Sequence, residues 1–408
     1  MDPRQSLLSR LRDYQPIAPL SRDFYTSAAD YQLELEALWY RDWLFIGHDC
    51  EIPRPGDYLT VQIGEYPVLV VRGSDGKVRA FHNSCRHRGA RICPEAQGNV
   101  PRLVCPYHQW SYRLDGGLIA ARDMGADFDR SRYGLRPVHC AGAGGYIWVC
   151  LGVVAPDFEP FAAQIEPYMR PHRLHEAKVA FESTIVERAN WKLVWENNRE
   201  CYHCPANHPE LSRTFPSTPT LAGPDAAAGH PRMLEQWERW EALGLPSRFE
   251  LSRSGQSRIV RMPLVGTAVS YTMDGAAAVR VPLSDSVTAP EVGSLLMFHY
   301  ASAWSHVLGD HAISFRVLPL GPTQTQLTTK WLVHKDAREG VDYDLRHLTE
   351  VWLATNDEDR RVCQENQLGV NSPSYDPAPY SPIQEAGVMQ FVNWYRTHLV
   401  ARLSEAAG

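Results

Sequence analysis

Cys85-Arg86-His87-Arg88-Gly89 and Cys105-Pro106-Tyr107-His108-Gln109-Trp110 decide how this chain is read. Each segment offers one thiolate and one imidazole, with 17 residues between His87 and Cys105, so the two loops together make a Cys2His2 metal site. Zinc accepts that ligand set. A zinc finger, however, groups a cysteine pair ahead of a histidine pair, whereas here Cys and His alternate. The alternation suits a two-iron, two-sulfide cluster with both thiolates on one iron and both imidazoles on the other. Exchanging two thiolates for neutral imidazoles makes such a site less negative and raises its reduction potential. Ligand type alone leaves zinc open as the alternative.

Around these loops the text is that of short β-strands. Tyr58–Ile63 and Pro67–Arg72 alternate or run apolar, and Ser74-Asp75-Gly76 turns the chain into Val78–Phe81. Tyr112–Leu114 and Leu118–Ala120 form a further hairpin, and Tyr146–Leu151 closes an all-β unit. Both ligand loops therefore sit at strand ends, as a rigid metal site requires. The two segments resemble the cluster loops of Rieske proteins. Before this unit, residues 5–45 read as a helical lead-in, with an apolar face at Leu33, Leu35, Leu38 and Trp39.

After it, Pro156 to Pro171 reads as a proline-punctuated connection. Val179–Arg188 alternates like a strand, and Trp191–His208 reads as one helix. Residues 212–256 are rich in Pro, Gly and Ser and read as an excursion over a pocket, with a short helix at Met233–Leu243. Strands are expected at Arg258–Leu264, Ala268–Met273, Ser294–Tyr300, His311–Leu320 and Gln326–His334, then helices at Tyr343–Leu368 and Ser381–Leu403. Strands followed by segregated helices imply an α+β domain with an antiparallel sheet. The expected division is 1–44, a helical segment packing with the last domain; 45–155, the all-β metal domain; and 156–408, the catalytic domain.

Composition excludes several classes. The 408 residues are 44% hydrophobic and 22% charged, with a net charge of −6, so no basic field invites nucleic acid or an anionic membrane. No apolar run approaches the roughly 20 residues that span a bilayer. Nine cysteines, an odd number with two in the cluster motif, fit reduced thiols better than a disulfide framework. With no signal-peptide pattern at Met1–Ser6, a cytoplasmic protein is expected.

A second metal site is written into Glu196-Asn197-Asn198-Arg199-Glu200-Cys201-Tyr202-His203-Cys204-Pro205-Ala206-Asn207-His208. His203 and His208 stand slightly more than one helical turn apart. Pro205 loosens the helix between them and lets both imidazoles converge. Two histidines and a carboxylate make the facial triad of mononuclear iron(II) sites. The carboxylate has to come from far along the chain, where Asn356-Asp357-Glu358-Asp359-Arg360 offers Asp357 and Asp359, with Glu358 on another helical face. Cys201 and Cys204 could signal redox or metal chemistry, but within a helix they read as small buried residues.

Together the halves resemble the oxygenase (alpha) component of Rieske non-haem iron oxygenases, over nearly the whole chain. The resemblance implies a [2Fe-2S] cluster on Cys85, His87, Cys105 and His108, and mononuclear Fe(II) on His203, His208 and Asp359, the last chosen on the family's usual offset. It also implies a helix-grip (START-like) catalytic domain, a head-to-tail homotrimer, and electrons from a separate NAD(P)H-dependent flavin and iron–sulfur reductase. An acid before the first iron histidine, here Glu200, would link His108 of one subunit to His203 of another; a carboxylate accepts from both rings and fixes their tautomers. Tyr107 and Trp110 are expected around the cluster, with a tyrosine hydroxyl near a cluster sulfur able to tune its potential.

The ring-hydroxylating members carry Asp where Glu200 stands. Glu200–Cys204 and Asn393-Trp394-Tyr395 resemble instead the quaternary-ammonium branch, which includes glycine betaine, stachydrine and carnitine oxygenases. That implies O2-dependent N-demethylation, glycine betaine to dimethylglycine and formaldehyde being the leading case. A quaternary ammonium offers no hydrogen bond and is held by aromatic faces. Phe298, Trp304 and His306, around the break between two strands, are the chosen contacts. The alternatives are oxidation of an aromatic compound and, from another class, a Rieske electron carrier or redox sensor; a carrier has no use for His203, His208 and a late acid.

Overall fold

A computed structural model describes residues 2–216, 231–284, 286–287 and 291–405. The chain divides into two compact units, Trp39–Phe158 and the combination of Met1–Leu38 with Glu159–Gly408. Part of the 212–256 excursion lies outside the described residues.

The lead-in comprises α1 (Pro3–Asp13), α2 (Arg22–Thr26) and α3 (Ala28–Glu34), the last running into a π-helical turn at Leu35–Trp39. Ser27 caps α3 by accepting from the Asp30 N–H. Glu34, fully buried, ties this segment to the catalytic unit: it pairs with Lys192 Nζ at 2.7 Å and accepts from Trp191 Nε1 at 2.8 Å. Removing one partner of such a buried pair costs about 3–5 kcal/mol.

The all-β unit holds β1 (Leu44–His48), β2 (Asp57–Ile63), β3 (Tyr66–Arg72), β4 (Val78–His82), β5 (Gln97–Asn99), β6 (Leu103–Val104), β7 (Ser111–Tyr112), β8 (Leu118–Ala120), β9 (Pro137–Ala143) and β10 (Tyr146–Cys150). They form a seven-stranded sheet in the order β1-β10-β9-β4-β3-β2-β5 and a three-stranded sheet β6-β7-β8. Leu69, Phe81, Ile92, Leu103 and Leu118 pack into the core under the ligand loops.

The catalytic unit resumes with α4 (Glu159–Met169), where a connection was expected. Pro160 stands at its beginning, where a missing N–H costs nothing, and Pro167 falls in the last turn. Then come β11 (Ala177–Glu187), α5 (Trp191–Asn198), α6 (Cys204–Asn207), α7 (Pro231–Ala242), β12 (Glu250–Leu251), β13 (Ser257–Met262), β14 (Ser294–His299), β15 (Ala303–Val307), β16 (Ala312–Gly321), β17 (Gln324–His334), α8 (Leu345–Val370) and α9 (Ala386–Ser404). The sheet is antiparallel throughout, in the order β11-β17-β16-β15-β14-β13-β12. This is the expected α+β architecture.

Besides α4, three expectations fail locally. The first is the break expected around Trp304 and His306, which is itself the strand β15. Ala268–Met273 is not a strand: Ser270 Oγ donates to the Asp310 carboxylate, and Thr272 Oγ1 turns back to the Ala276 carbonyl. These side-chain bonds satisfy the segment without a ladder. The expected helix Trp191–His208 stops at Asn198. There the Glu200 carboxylate accepts from the Tyr202 and His203 N–H groups, so the chain leaves the helix before α6 begins.

Candidate metal centres

The two ligand loops are built alike. The Cys85 N–H donates to the Ala90 carbonyl and the Gly89 N–H to the Cys85 carbonyl, both at 2.9 Å. The Cys105 N–H donates likewise to Trp110 (2.9 Å) and the Gln109 N–H to Cys105 (3.0 Å). The fifth residue of each loop is left-handed, Gly89 at φ 80° and Gln109 at φ 60°. Both sulfurs are buried while His87 is exposed and His108 half-buried, so the loops offer thiolates inside and imidazoles outside. The two rings lie 4.7 Å apart, and Trp110 stacks on His87 at 4.8 Å. That arrangement suits a cluster whose histidine-bound iron faces the surface. The tyrosine beside a sulfur is Tyr112, not Tyr107: its hydroxyl accepts from the Arg86 N–H (3.1 Å) and lies 3.3 Å from Cys85 Sγ, whereas Tyr107 is exposed and stacks on His108.

The second centre lies in the catalytic unit. His203 Nδ1–H donates to Glu200 Oε1 at 2.6 Å, and His208 Nδ1–H to Glu358 Oε2 at 2.8 Å. Both Nε2 lone pairs are thereby turned toward a common point. They lie 3.1 Å apart, and Asp359 Oδ1 stands 3.0 Å from His208 Nε2 and 3.4 Å from His203 Nε2. Three such atoms at these separations repel one another unless protons or a metal ion lie between them, and a metal would take the place of a proton there. Ligands on one octahedral face with bonds of about 2.1 Å stand about 3.0 Å apart, so the triad fits a six-coordinate metal. Burial opposes charge on His203, yet Asp359 and Glu200 outweigh it and push its pKa up to about 9. Burial likewise works against the Asp359 carboxylate, but the two histidines win and hold its pKa below the usual range.

Glu358 was expected on another helical face. Successive helical residues do point about 100° apart, but the His208 ring lies between the two directions and presents one nitrogen to each. Asp357 is turned outward and pairs with Arg360. Asn197, which the spacing did not single out, places its amide nitrogen 3.3 Å from His203 Nε2. Cys204 also comes within 4.8 Å of the ring nitrogens, but its sulfur is bonded to Cys201 in the structure, which corrects the reading of two separate thiols.

A cavity of about 90 Å³ opens on the triad. Phe298, Trp304 and His306 line it, joined by Phe215 from the excursion and Trp352 from α8. The His306 and Trp352 rings are 4.7 Å apart, and burial, with Arg258 and His311 adding to it, lowers the His306 pKa to about 3.

Residues 174–401 match the catalytic domain of ring-hydroxylating alpha subunits, and residues 42–135 match the Rieske [2Fe-2S] domain. The glycine betaine monooxygenase oxygenase subunit of Chromohalobacter salexigens is 47% identical, over 99% of this chain and 91% of its own. Its counterpart from Pseudomonas aeruginosa strain UCBPP-PA14 is 46% identical, over 98% and 94%. The chain belongs to the Rieske oxygenase alpha subunits.

Membership brings a [2Fe-2S] cluster and a mononuclear iron, and implies a separate reductase and a small-molecule substrate. This Rieske oxygenase also shares its fold with the quaternary ammonium Rieske monooxygenase CntA in complex with L-carnitine, at a TM-score of 0.70 and 20% identity over 98% of this chain and 99% of that one. Naphthalene 1,2-dioxygenase from a Rhodococcus species, bound to indole, gives 0.72 at 18% identity over 98% of each chain. Among the described residues no helix is long and apolar enough to cross a membrane.

Proposed function

We propose that this Rieske oxygenase N-demethylates glycine betaine, yielding dimethylglycine and formaldehyde. Cys85, His87, Cys105 and His108 hold the cluster, and His203, His208 and Asp359 hold the ferrous iron. When bound, the two groups supply electrons and activate O2; one oxygen atom goes to an N-methyl carbon and, with two electrons and two protons, the other leaves as water. The hydroxymethyl–nitrogen bond then breaks, releasing formaldehyde. Glu200 and Glu358 hold the two Nδ1 protons throughout, so each ring keeps its Nε2 toward the metal.

One observation carries the reading: the cavity beside the triad is walled by aromatic faces, the surface that attracts a cation lacking hydrogen-bond donors. The two relatives named for glycine betaine, each nearly half identical along almost the whole chain, direct the choice of cation. Electrons cross between subunits of a head-to-tail trimer, with Glu200 receiving a hydrogen bond from His108 of the partner subunit. The purified protein, loaded with iron and supplied with reductase and NAD(P)H, is expected to release one formaldehyde per dimethylglycine from glycine betaine. Absence of formaldehyde with glycine betaine and other betaines, or a hydroxylated aromatic product instead, overturns the reading.

A further inference from the structure

Cys201 and Cys204 bracket an iron ligand, and the chemistry assigned to the metal centre uses neither sulfur. Of the chain's nine cysteines they alone are joined; the other seven, among them the half-buried Cys50 and Cys140, stand outside any disulfide. A chain with that pattern is not built on a disulfide framework, and where thiols otherwise stay reduced a bonded pair is usually catalytic or redox-sensing. Both cysteines line the cavity that opens on the triad. The Cys204 sulfur lies within 4.8 Å of the ring nitrogens of His203 and His208; Cys204 is buried, whereas Cys201 is half-buried. The sulfur–sulfur bond does not make the turn between them. The Glu200 carboxylate accepts from the Tyr202 and His203 N–H groups, and the Cys204 N–H donates to the Cys201 carbonyl at 3.3 Å. These hydrogen bonds hold a turn in which the two Cα atoms stand 4.9 Å apart, within the range that a bridge spans. Opening the bond therefore leaves the sulfurs as neighbours, and a bridge over so short a loop adds little constraint to the chain.

We propose that Cys201 and Cys204 are a reversible dithiol–disulfide pair that consumes hydrogen peroxide arising in the cavity. The source of that peroxide rests on the demethylation reading above: O2 that takes up two electrons and two protons without oxidising a substrate leaves as H2O2. It leaves beside Cys204, the sulfur close to the ligating nitrogens. The Cys204 sulfur bonds to one peroxide oxygen as the O–O bond breaks, and the thiol proton departs with the other oxygen as water, giving a sulfenic acid. The Cys201 sulfur then displaces the sulfenic oxygen, which departs with the Cys201 proton as a second water. Two thiols and one H2O2 thus give a disulfide and two waters, with two electrons passing from sulfur to oxygen. Cys201, the more open of the two, is the sulfur that a dithiol reductant attacks to return the pair to thiols. The location gives this cycle its use. Peroxide is removed before it reaches the ring of His203, a ligand that has no chemical route of repair, by neighbours that reset.

The test starts from holoenzyme that has been reduced with a dithiol and then separated from it. One equivalent of H2O2 is expected to close the Cys201–Cys204 bond at least about tenfold faster than it oxidises Cys50 or Cys140, read by differential alkylation and peptide mass spectrometry. Cys201→Ser should halt the reaction at a Cys204 sulfenic acid that dimedone traps, and a thioredoxin-class dithiol should reopen the wild-type bond. A merely structural bond would resist that dithiol in the folded holoenzyme, and such resistance overturns the proposal. Closure no faster than oxidation at Cys50 and Cys140 overturns it as well, and that measurement on the wild-type chain stands even if Cys201→Ser does not fold. Selective closure by added peroxide, without formaldehyde release from any betaine, would instead overturn the demethylation reading and leave the pair intact.

Discussion

Glu358→Ala separates the role of this residue from that of its neighbour Asp359. The Glu358 carboxylate accepts the Nδ1 proton of His208 at 2.8 Å, and its side chain is only 20% exposed, so water replaces it poorly. A hydrogen bond to a charged group contributes about 1.5–3 kcal/mol, the lower half of that range being apt for a partly solvated acceptor. Without it the His208 ring is free to rotate or to change tautomer, and its Nε2 no longer faces Asp359 Oδ1 by necessity. The cost falls on metal affinity, and loss of such a partner typically weakens binding 10–100-fold. Ferrous ion titrated into the metal-depleted variant should therefore bind about 10–100-fold more weakly than in the wild type. The visible spectrum of the [2Fe-2S] cluster should not change. Glu358→Gln, whose amide oxygen can still accept from Nδ1, should lose less. An unchanged iron affinity in Glu358→Ala, within about threefold, would refute the assignment of His208 as a ligand oriented from behind by Glu358.

Asp359→Ala should abolish mononuclear iron binding and turnover while the cluster spectrum persists, measured as a fall in iron from three to about two atoms per chain; loss of the cluster would count against two separate sites. Tyr112→Phe removes the hydroxyl 3.3 Å from Cys85 Sγ. Hydrogen bonds to cluster sulfurs favour the reduced, more negative state, so a bond of about 1 kcal/mol predicts a potential lower by about 40 mV, read by redox titration. Glu196 is half-buried, and desolvation, although opposed by hydrogen bonds from Tyr25 and Tyr380, raises its pKa to about 7. The folded protein then binds a proton that the unfolded chain has released, between about pH 4.5 and 7, so stability falls as pH rises through that window. Glu196→Gln should lose this slope, worth at most about 3 kcal/mol, and its melting temperature should drop less between pH 5 and 8 than that of the wild type.

The cluster loops were readable because all four ligands lie within two short loops, each closed by its own backbone hydrogen bonds. The α+β order of elements was readable for a similar reason: strand and helix periodicities are local. What failed depended on side chains acting on distant or neighbouring backbone. Glu200, recognised as an acid near His203, also turns its carboxylate onto two backbone N–H groups and ends the helix that its own sequence favours. At Pro156–Pro171 only Pro160 stands in the first turn of α4, where a helix tolerates proline; α4 also carries Pro167 inside it, so counting prolines points to a connection where a helix forms.

Glu358 and Asp359 divide the work of one histidine between two adjacent acids. Helical geometry sorts side chains by direction, and by that measure two adjacent acids cannot share one target point. They can share one ring, because an imidazole carries its two nitrogens on different sides. The metal needs only one of them, and the other has to be held. A search for ligands alone therefore finds Asp359 and discards Glu358, although the tautomer that makes His208 a ligand depends on the acid discarded. The same holds for Arg258, which sits in a strand buried along its whole length, where a charge looks like an interruption of the core. Its sense becomes visible only when the register sets it in one row with Phe298 and Trp304, on the wall of the cavity that the triad serves.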